Sequence, residues 1–402
     1  MALLPVDEAL ERVLDGVKPL EPECVPLREA SGRVLASPIY ANRTQPPFDA
    51  SAMDGFAVRA DDTRKPQNNL RVVAEAAAGT RFEGTLKHGE SVRIFTGAPV
   101  PKGADAVLIQ ENTEQTGQAT IRATCPVEVG RNIRLAGLDF REGDTLLEPG
   151  RKLDPAALAL AASGGHPSLC VHRKPLLAVL ATGNELVPPG DEIGENQIIA
   201  SNTFGIAAIA EQEGAEVLDL GIIPDDAALI SAALQQASGQ GADVLVTLGG
   251  ASVGKHDLVR SALADAGMQL SFWKVAMRPG KPLISGRLGN QRVLGLPGNP
   301  VSSLVCAELF LRPLLARLSG AIFRPDIRRA RLATAMSAND ERQDYVRAVA
   351  VQGPEGLLAT PFAHQDSSHL TAYAAANCLL IREPHAPAAA AGDRCRILML
   401  RD

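Results

Sequence analysis

The chain has 402 residues, 46% of them hydrophobic and 21% charged, with a net charge of −6. That length accommodates two to four domains of about 100–200 residues. The acidic balance and 3% aromatic content exclude a basic or aromatic nucleic-acid surface as the main feature. No run of about 20 apolar residues exists, which excludes a membrane-spanning helix. The start, MALLPVDEALERV, reaches acids at Asp7 and Glu8 without a basic lead or long apolar stretch, so it does not read as a signal peptide. Cys24, Cys125, Cys170, Cys306, Cys378 and Cys395 are scattered without a C-x-x-C pair. That pattern argues against a zinc site and for the reducing cytoplasm.

Val6 to Val17 places apolar residues at 6, 9, 10, 13, 14 and 17, the spacing of a helix with one buried stripe. Residues 41–140 read as an all-β module: strands are predicted at Gly55–Arg59, Leu70–Ala74, Ser91–Phe95, Ala106–Gln110 and Ala119–Ala123, between Pro, Gly and Asn turn signals. A second helix is predicted over Pro155–Ser163. Pairing with the first would make residues 1–40 and 141–173 a helical linking region that carries the β-module as an insertion.

Over 174–324 the pattern alternates. Strands are predicted at Leu176–Leu180, Glu216–Leu220, Asp243–Leu248 and Val293–Leu296, and helices near 203–213, 226–237, 257–266 and 301–317. Alternation of this kind implies a parallel sheet covered on both faces, with ligands at the carboxyl ends of the strands. Residues 325–402 return to strands at Arg329–Ala333, Tyr345–Val351, Cys378–Arg382 and Arg394–Leu400, a small barrel or sandwich with the Ala/Pro run at 384–391 as a loop. The fold class is multidomain, α/β plus β, and no repeat of about 20–50 residues suggests a solenoid.

Several loops could carry chemistry. Gly249, Gly250, Ser252 and Gly254 lie in LGGASVGKHD, between a strand and a helix. Glycines there can turn N–H groups toward an anion; a plain tight turn with Asp257 as helix cap fits equally well. The run does not match the P-loop pattern. Glu185 in ATGNE and Asp225 in PDD end neighbouring strands. They read either as solvated loop or cap acids or as oxygen ligands of the kind Mg²⁺ takes together with substrate phosphates. Lys274, Arg278 and Lys281 in FWKVAMRPGKP flank a Pro-Gly turn beside Trp273. They are a basic surface or, if partly buried, a site needing an anion. Pro297 and Pro300 in LPGNPVSS lead into an apolar helix, where Pro suits the first position. PPFDASAMDGFAV and RIFTGAPVP are polar loops of the β-module whose local physics specifies no role.

Taken together, PPFDASAMDGFAVR, RIFTGAPVP, ATGNEL, GGASVGKHD, FWKVAMRPGKP and LPGNPVS occur in the order seen in the MoeA family. The chain resembles that family, and the related plant Cnx and animal gephyrin E domains, over essentially its whole length. The resemblance implies a Mog/MoaB-like parallel-sheet domain at 174–324, the inserted all-β domain at 41–140 and a small C-terminal β-barrel at 325–402, assembled as an elongated homodimer. It implies an enzyme that takes adenylylated molybdopterin and molybdate, inserts molybdenum into the dithiolene and releases AMP with Mg²⁺ present. Other cofactor-maturation proteins or apo-molybdoenzymes would be further partners, with neither nucleic acid nor membrane involved.

Carried over position by position, the resemblance places Asp54, Thr96, Asp139, Glu185, Asp225 and Asp257 at functional acid or hydroxyl positions, with Glu185, Asp225 and Asp257 toward the metal or nucleotide. It places Gly249, Gly250, Ser252, Gly254, Lys274, Arg278, Lys281, Pro297, Pro300, Arg347 and Ser368 toward substrate. Lys274, Arg278, Lys281 and Ser368 would neutralise molybdate, while adenylyl phosphates would lie over glycine loops and helix N-termini. Asp54 and Thr96 are far in sequence from the α/β loops, so a homodimer would let them act in trans. Arg278 replaces a lysine of some members, Asn184 and Leu138 stand where acids are common, and Ile199-Ala200 stands where Tyr-Asp is common. Two other readings are a Mog/MoaB-like adenylyltransferase, which the additional β-domains argue against, and a peptide-binding scaffold.

Overall fold

A computed structural model describes residues 3–65, 67–249 and 258–401. The chain forms two compact units: one comprises residues 24–31 and 37–169, the other residues 1–23, 32–36 and 170–402. The expectations placed on Gly250, Ser252, Gly254 and Asp257 lie outside the described residues.

The first unit is built on a six-stranded sheet. Its strands are β1 (Gly55–Val58), β2 (Asn69–Ala76), β3 (Glu90–Ile94), β4 (Ala106–Ile109), β5 (Thr113–Gly117) and β6 (Thr120–Ala123), in the order β4-β1-β3-β2-β6-β5. Successive residues of a strand point to opposite faces, and here both faces are buried. Ala57, Val92 and Val107 enter one cluster; Val58, Leu70, Leu108 and Ile121 enter the other. The unpredicted strand is β5, a polar, mostly exposed segment with no apolar alternation to reveal it. The second predicted helix forms as α2 (Pro155–Ser163), capped by Asp154, which accepts from the Ala157 N–H at 2.7 Å.

The second unit begins with α1 (Val6–Leu14). Its central sheet contains β7 (Leu176–Thr182), β8 (Glu216–Ile223), β9 (Val244–Leu248), β10 (Gln269–Lys274), β12 (Pro282–Leu288) and β13 (Gln291–Leu296), with the short β11 (Met277–Arg278) between β10 and β12. The strand order is β8-β7-β9-β13-β12-β10. The four predicted strands β7, β8, β9 and β13 are parallel; β12 and β10 extend the sheet antiparallel at one edge. Buried on both faces, the parallel strands read as continuous apolar runs. Leu177, Val179, Val244 and Val246 face one cluster, and Ala178, Leu180 and Leu245 the other. The helices α3 (Asn202–Gln212), α4 (Ala227–Gly239) and α5 (Leu258–Asp265) follow β7, β8 and β9.

The helix predicted over 301–317 divides into α6 (Pro300–Cys306), a π-helical turn (Ala307–Leu311) and α7 (Arg312–Leu318). Pro313 brings no N–H to the carbonyl four residues earlier, and the π turn lies immediately before it. Arg312 spans the turn, pairing with Glu308 at 2.8 Å and Glu213 at 2.7 Å. Within this unit α1 packs against α7. The stripe Val6, Ala9 and Val13 enters the same cluster as Leu314 and Leu315.

The C-terminal strands are β14 (Ile327–Leu332), β15 (Gln343–Gly353), β16 (Gly356–Pro361), β17 (Cys378–Arg382) and β18 (Arg394–Met399), with α8 (Leu370–Ala375) before β17. The pairings run β15-β16-β14-β18-β17 and return to β15, closing a five-stranded barrel. Val346, Ala348, Leu380 and Ile397 form its own core, while Tyr345, Leu379, Ile381 and Leu398 join the core of the α/β sheet. One further strand joins this sheet from outside: β11 pairs parallel with β15, setting Arg278 opposite Asp344. Arg278 pairs with Asp344 at 2.8 Å and Asp340 at 3.1 Å, and Asp340 also pairs with Arg342 at 2.8 Å.

Hydrogen bonds from the side chain and backbone N–H of Arg342, with the charge of Arg278 beside it, hold the Asp340 pKa down at about 2. A depressed carboxyl contributes stability that is present above its unfolded value, near 3.8, and lost as pH falls through about 2. Burial pushes neighbouring Asp344 the opposite way. Replacing Asp340 by Asn should therefore flatten the acid limb of stability between about pH 4 and 2. Urea midpoints across that range measure it; an unchanged limb would show that Asp340 is not held by this cluster.

Candidate active site

The loops after the four parallel strands gather at one edge of the sheet. Gly249, directly after β9, has φ +93°, and a Cβ there would stand 2.7 Å from the Thr182 carbonyl oxygen at the end of β7. Only glycine permits that approach. A Cβ built on Gly298, after β13, would lie 3.9 Å from the Cα of Gly249. Asn202 donates to the Gly298 carbonyl at 2.7 Å, fixing that loop to the start of α3.

Glu185 and Asp225 stand on the adjacent loops after β7 and β8, and both are exposed. The Glu185 carboxylate folds back toward Gly183, where an added Cβ would meet its Oε2 at 2.5 Å. The Asp225 N–H donates to Asn184 Oδ1 at 3.1 Å. Asn184, at a position where an acid was expected, thus joins the two loops through its amide oxygen. Beside them lies a cavity of about 490 Å³ whose lining includes Gly183, Asn184, Leu186, Phe204, Ile222 and Pro224.

Helix starts contribute less open N–H character than the sequence reading expected. Asp226 caps α4, accepting from Ala228 and Leu229 at 2.8 and 3.0 Å. At α6, Pro300 has no N–H and the Val301 N–H donates to the Ser367 carbonyl at 3.1 Å. Pro297 is buried, and its carbonyl accepts from the Ser303 hydroxyl.

The three cations of the 274–281 segment are not equivalent. Lys274 Nζ sits 4.0 Å from the centroid of the Trp273 ring, and the Arg260 guanidinium sits 4.7 Å from it. Lys281 is exposed, and its carbonyl accepts from the Val275 N–H at 3.0 Å. Arg278, by contrast, is already met by Asp344 and Asp340. Among the described residues, Arg278 is the one of the three that forms an ion pair, because β11 delivers it to the barrel.

Arg347, placed toward substrate by the resemblance, is fully buried. Its Nη2 donates to the Asp366 carbonyl at 3.1 Å, while Gln365 bridges its backbone from both sides at 3.0 Å. Burial lowers the Arg347 pKa. Through those hydrogen bonds Arg347 holds the 365–368 loop, which carries Ser368. The Ser368 hydroxyl and N–H donate to Asp366 Oδ1 at 2.6 and 2.8 Å, and these bonds lower the Asp366 pKa. Asn299 donates to Ser367 Oγ at 2.8 Å, tying this loop to the one after β13. Asp366 stands outside the motifs singled out in the sequence, although the D-S-S run is a local turn signal that marks it. Asp340 and Asp344 carried no such signal, since only strand pairing brings them to Arg278.

In the other unit, Asp54 and Thr96 come together. Asp54 Oδ1 accepts from the Thr96 N–H at 2.7 Å and from its hydroxyl at 2.8 Å. Those bonds, with Arg93 nearby, lower the Asp54 pKa. Gly55 makes the arrangement possible, because a Cβ there would lie 2.1 Å from the Leu108 carbonyl oxygen. Asp139 is exposed, as is Leu138 beside it. Its N–H donates to the Gln45 carbonyl at 3.0 Å.

Family models cover the chain almost end to end. Residues 4–165 match the MoeA N-terminal region (domain I and II), 178–317 a probable molybdopterin binding domain, and 329–400 the MoeA C-terminal region (domain IV). The chain is 35% identical to molybdopterin molybdenumtransferase of Haemophilus influenzae, over 98% of each chain. It is 35% identical to the protein of that name from Bacillus subtilis, over 99% of this chain and 94% of the other. It is similar to a solved structure of the Pyrococcus horikoshii molybdopterin biosynthesis MoeA protein, with TM-score 0.84 and 28% identity over 99% of this chain and 100% of that one. By these matches and by its architecture of an inserted β-unit, a mostly parallel α/β sheet and a closed C-terminal barrel, the chain belongs to the MoeA family.

Proposed function

We propose that this protein inserts molybdenum from molybdate into adenylylated molybdopterin, releasing AMP, as the last step of molybdenum cofactor synthesis. The observation that carries the reading is the end-to-end match to relatives named molybdopterin molybdenumtransferase. The convergence of loops at the carboxyl edge of the parallel sheet supports it, since open α/β sheets bind ligands there. The additional β-unit and barrel favour it over a Mog/MoaB-like adenylyltransferase.

In this reading the adenylylated pterin occupies the edge formed by Gly183, Gly249 and Gly298, and Gly250, Ser252 and Gly254 would contact it by their place in the family motif. The cavity beside Asn184 offers an apolar wall of Leu186, Phe204 and Ile222. Lys274 and Lys281 attract molybdate through charge-assisted hydrogen bonds, and Arg278 positions their turn against the barrel. Ser368, whose proton is engaged by Asp366, must rotate to donate to an oxyanion. Asp54 orients the Thr96 hydroxyl, and Asp139 remains a candidate acid. Holding both reactants at one edge supplies proximity.

Mg²⁺ belongs to the same proposal. Glu185 and Asp225 fit it as hard oxygen donors joined through Asn184, since Mg²⁺ is held by one or two carboxylates plus substrate phosphates. Among the described residues no group of three or more His, Cys, Asp or Glu forms a closed cage. These two residues, with Asp257, would hold the ion, which when bound neutralises phosphate charge and polarises the bond to be broken. A cytoplasmic location and a homodimer complete the proposal, with apo-molybdoenzymes or other maturation proteins receiving the product. No helix among the described residues is long and apolar enough to cross a membrane.

Incubation of the protein with adenylylated molybdopterin, Mg²⁺ and molybdate should release AMP and reconstitute an apo-molybdoenzyme. Accumulation of adenylylated pterin from molybdopterin and ATP would favour the adenylyltransferase instead. Lys274→Ala and Lys281→Ala should each raise the molybdate concentration for half-maximal turnover about tenfold, the scale of one charge-assisted hydrogen bond. Arg278→Ala should chiefly lower the melting temperature, because it leaves half-buried Asp344 without its partner; a rise in molybdate requirement without loss of stability would return Arg278 to the anion site. Sedimentation at micromolar concentration should find activity in a dimer, and an active monomer would refute that part.

A further inference from the structure

A second polar recess lies at the opposite edge of the same sheet. It is a cavity of about 260 Å³ whose lining includes Arg12 and Asp15 from the end of α1, Ser271 on β10, Ser285 and Arg287 on β12, and Arg292 on β13. Arg287 and Arg292 are direct cross-strand partners, a placement in which like charges repel. Both turn toward Asp15. Arg287 Nη2 donates to its carbonyl oxygen and, at 3.1 Å, to Oδ2; Arg292 Nη2 donates to the same carbonyl at 2.8 Å. Arg12 pairs with Glu8 at 2.6 Å along the exposed side of α1.

Three arginines thus line the recess: Arg12 is paired with Glu8 outside the lining, while Arg287 and Arg292 share Asp15, the one acid of the lining, whose side chain is 80% exposed. Burial and the charge of Arg287 lower the Arg292 pKa against the opposing charge of Asp15, and the Arg292 guanidinium meets the Asp15 backbone carbonyl. Buried Ser285 and exposed Ser271 add hydroxyl groups to the lining. None of these residues belongs to the loops at the carboxyl edge.

We propose that this recess binds a small oxyanion of the phosphate class on Arg12, Arg287 and Arg292, fastening the end of α1 to the sheet. The guanidinium fork matches phosphate oxygens in pairs. A tetrahedral anion has enough oxygens to meet three such groups, where a carboxylate has two. The cavity is smaller than the roughly 300–1,000 Å³ of sites for drug-sized ligands, which selects a free ion or the end of a small ester. The Asp15 carboxylate, at the solvent side, turns outward as the anion takes its place on Arg287. Binding stabilises the whole unit by mass action, because the buried stripe of α1 shares its core with the sheet and the outer face of the barrel.

The test is a melting-temperature titration of the full chain at low salt with inorganic phosphate, glycerol 3-phosphate, and sodium chloride at matched ionic strength. Phosphate should raise the melting temperature beyond chloride. Arg292→Gln should raise the half-saturating phosphate concentration about tenfold, the loss of one charge-assisted hydrogen bond. The Lys274→Ala/Lys281→Ala double variant should retain a phosphate-specific rise in melting temperature, separating this recess from the candidate active site. A stronger response to glycerol 3-phosphate assigns the ester, and a weaker one the free ion; either supports the site. Should Arg292→Gln fail to fold, Arg12→Gln on the exposed helix face gives the same readout. Equal shifts with chloride, loss of the response in the lysine double variant, or an unchanged half-saturating concentration in the foldable arginine variant would each overturn the proposal.

Discussion

The parallel core of β7, β9 and β13 must bury both of its faces, and the rest of the α/β unit follows from that requirement. A strand with apolar residues on both sides needs helices above and below it. The connections that supply those helices leave every strand-to-helix loop at the same edge. Gly249 and Thr182 then approach so closely that no side chain fits between them. The candidate site is therefore a consequence of how the sheet is covered: Glu185, Asp225 and Gly298 meet at one edge because the strands before them run the same way.

Charge is placed against that frame unevenly. β11 is only two residues long, yet its pairing with β15 carries Arg278 to two acids of the barrel. A cation met by two carboxylates has little remaining field for a further anion. Lys274, held over an indole ring, and exposed Lys281 keep theirs. Buried Arg347 acts through backbone, holding the loop on which Ser368 sits. Across the sheet, the arginines around Asp15 show the reverse imbalance, with positive groups exceeding the carboxylate that faces them. The two edges of one sheet thus differ in kind: glycine loops with acids and lysines at one, and a small arginine-lined recess at the other.

Much of this was legible in the linear chain, for reasons that can be named. Two-sided burial makes Leu176–Thr182 and Val244–Leu248 continuous apolar runs, which depend on no distant partner for recognition. Asp154 and Asp226 announce helix starts through bonds to residues two or three positions away. Gly55 and Gly249 are glycines because neighbouring backbone occupies the space of a side chain. The order of the six motifs carried the resemblance to the MoeA family. What determined these features is local: periodicity, capping and backbone freedom are properties of a few consecutive residues.

Tertiary structure alone decided the remainder. Polar β5 becomes a strand because β6 pairs with it, without any apolar rhythm of its own. Barrel closure rests on β15 meeting both β16 and β17. The stripe of α1 was evident, but its partner was not, since an apolar face specifies burial without naming the surface that covers it. Three cations within eight residues look like one cluster in sequence, yet Asp340 and Asp344, more than sixty positions away, remove Arg278 from it. Electrostatic compensation and strand pairing act through space, and a residue's nearest charge or hydrogen-bond partner is fixed only when distant segments meet.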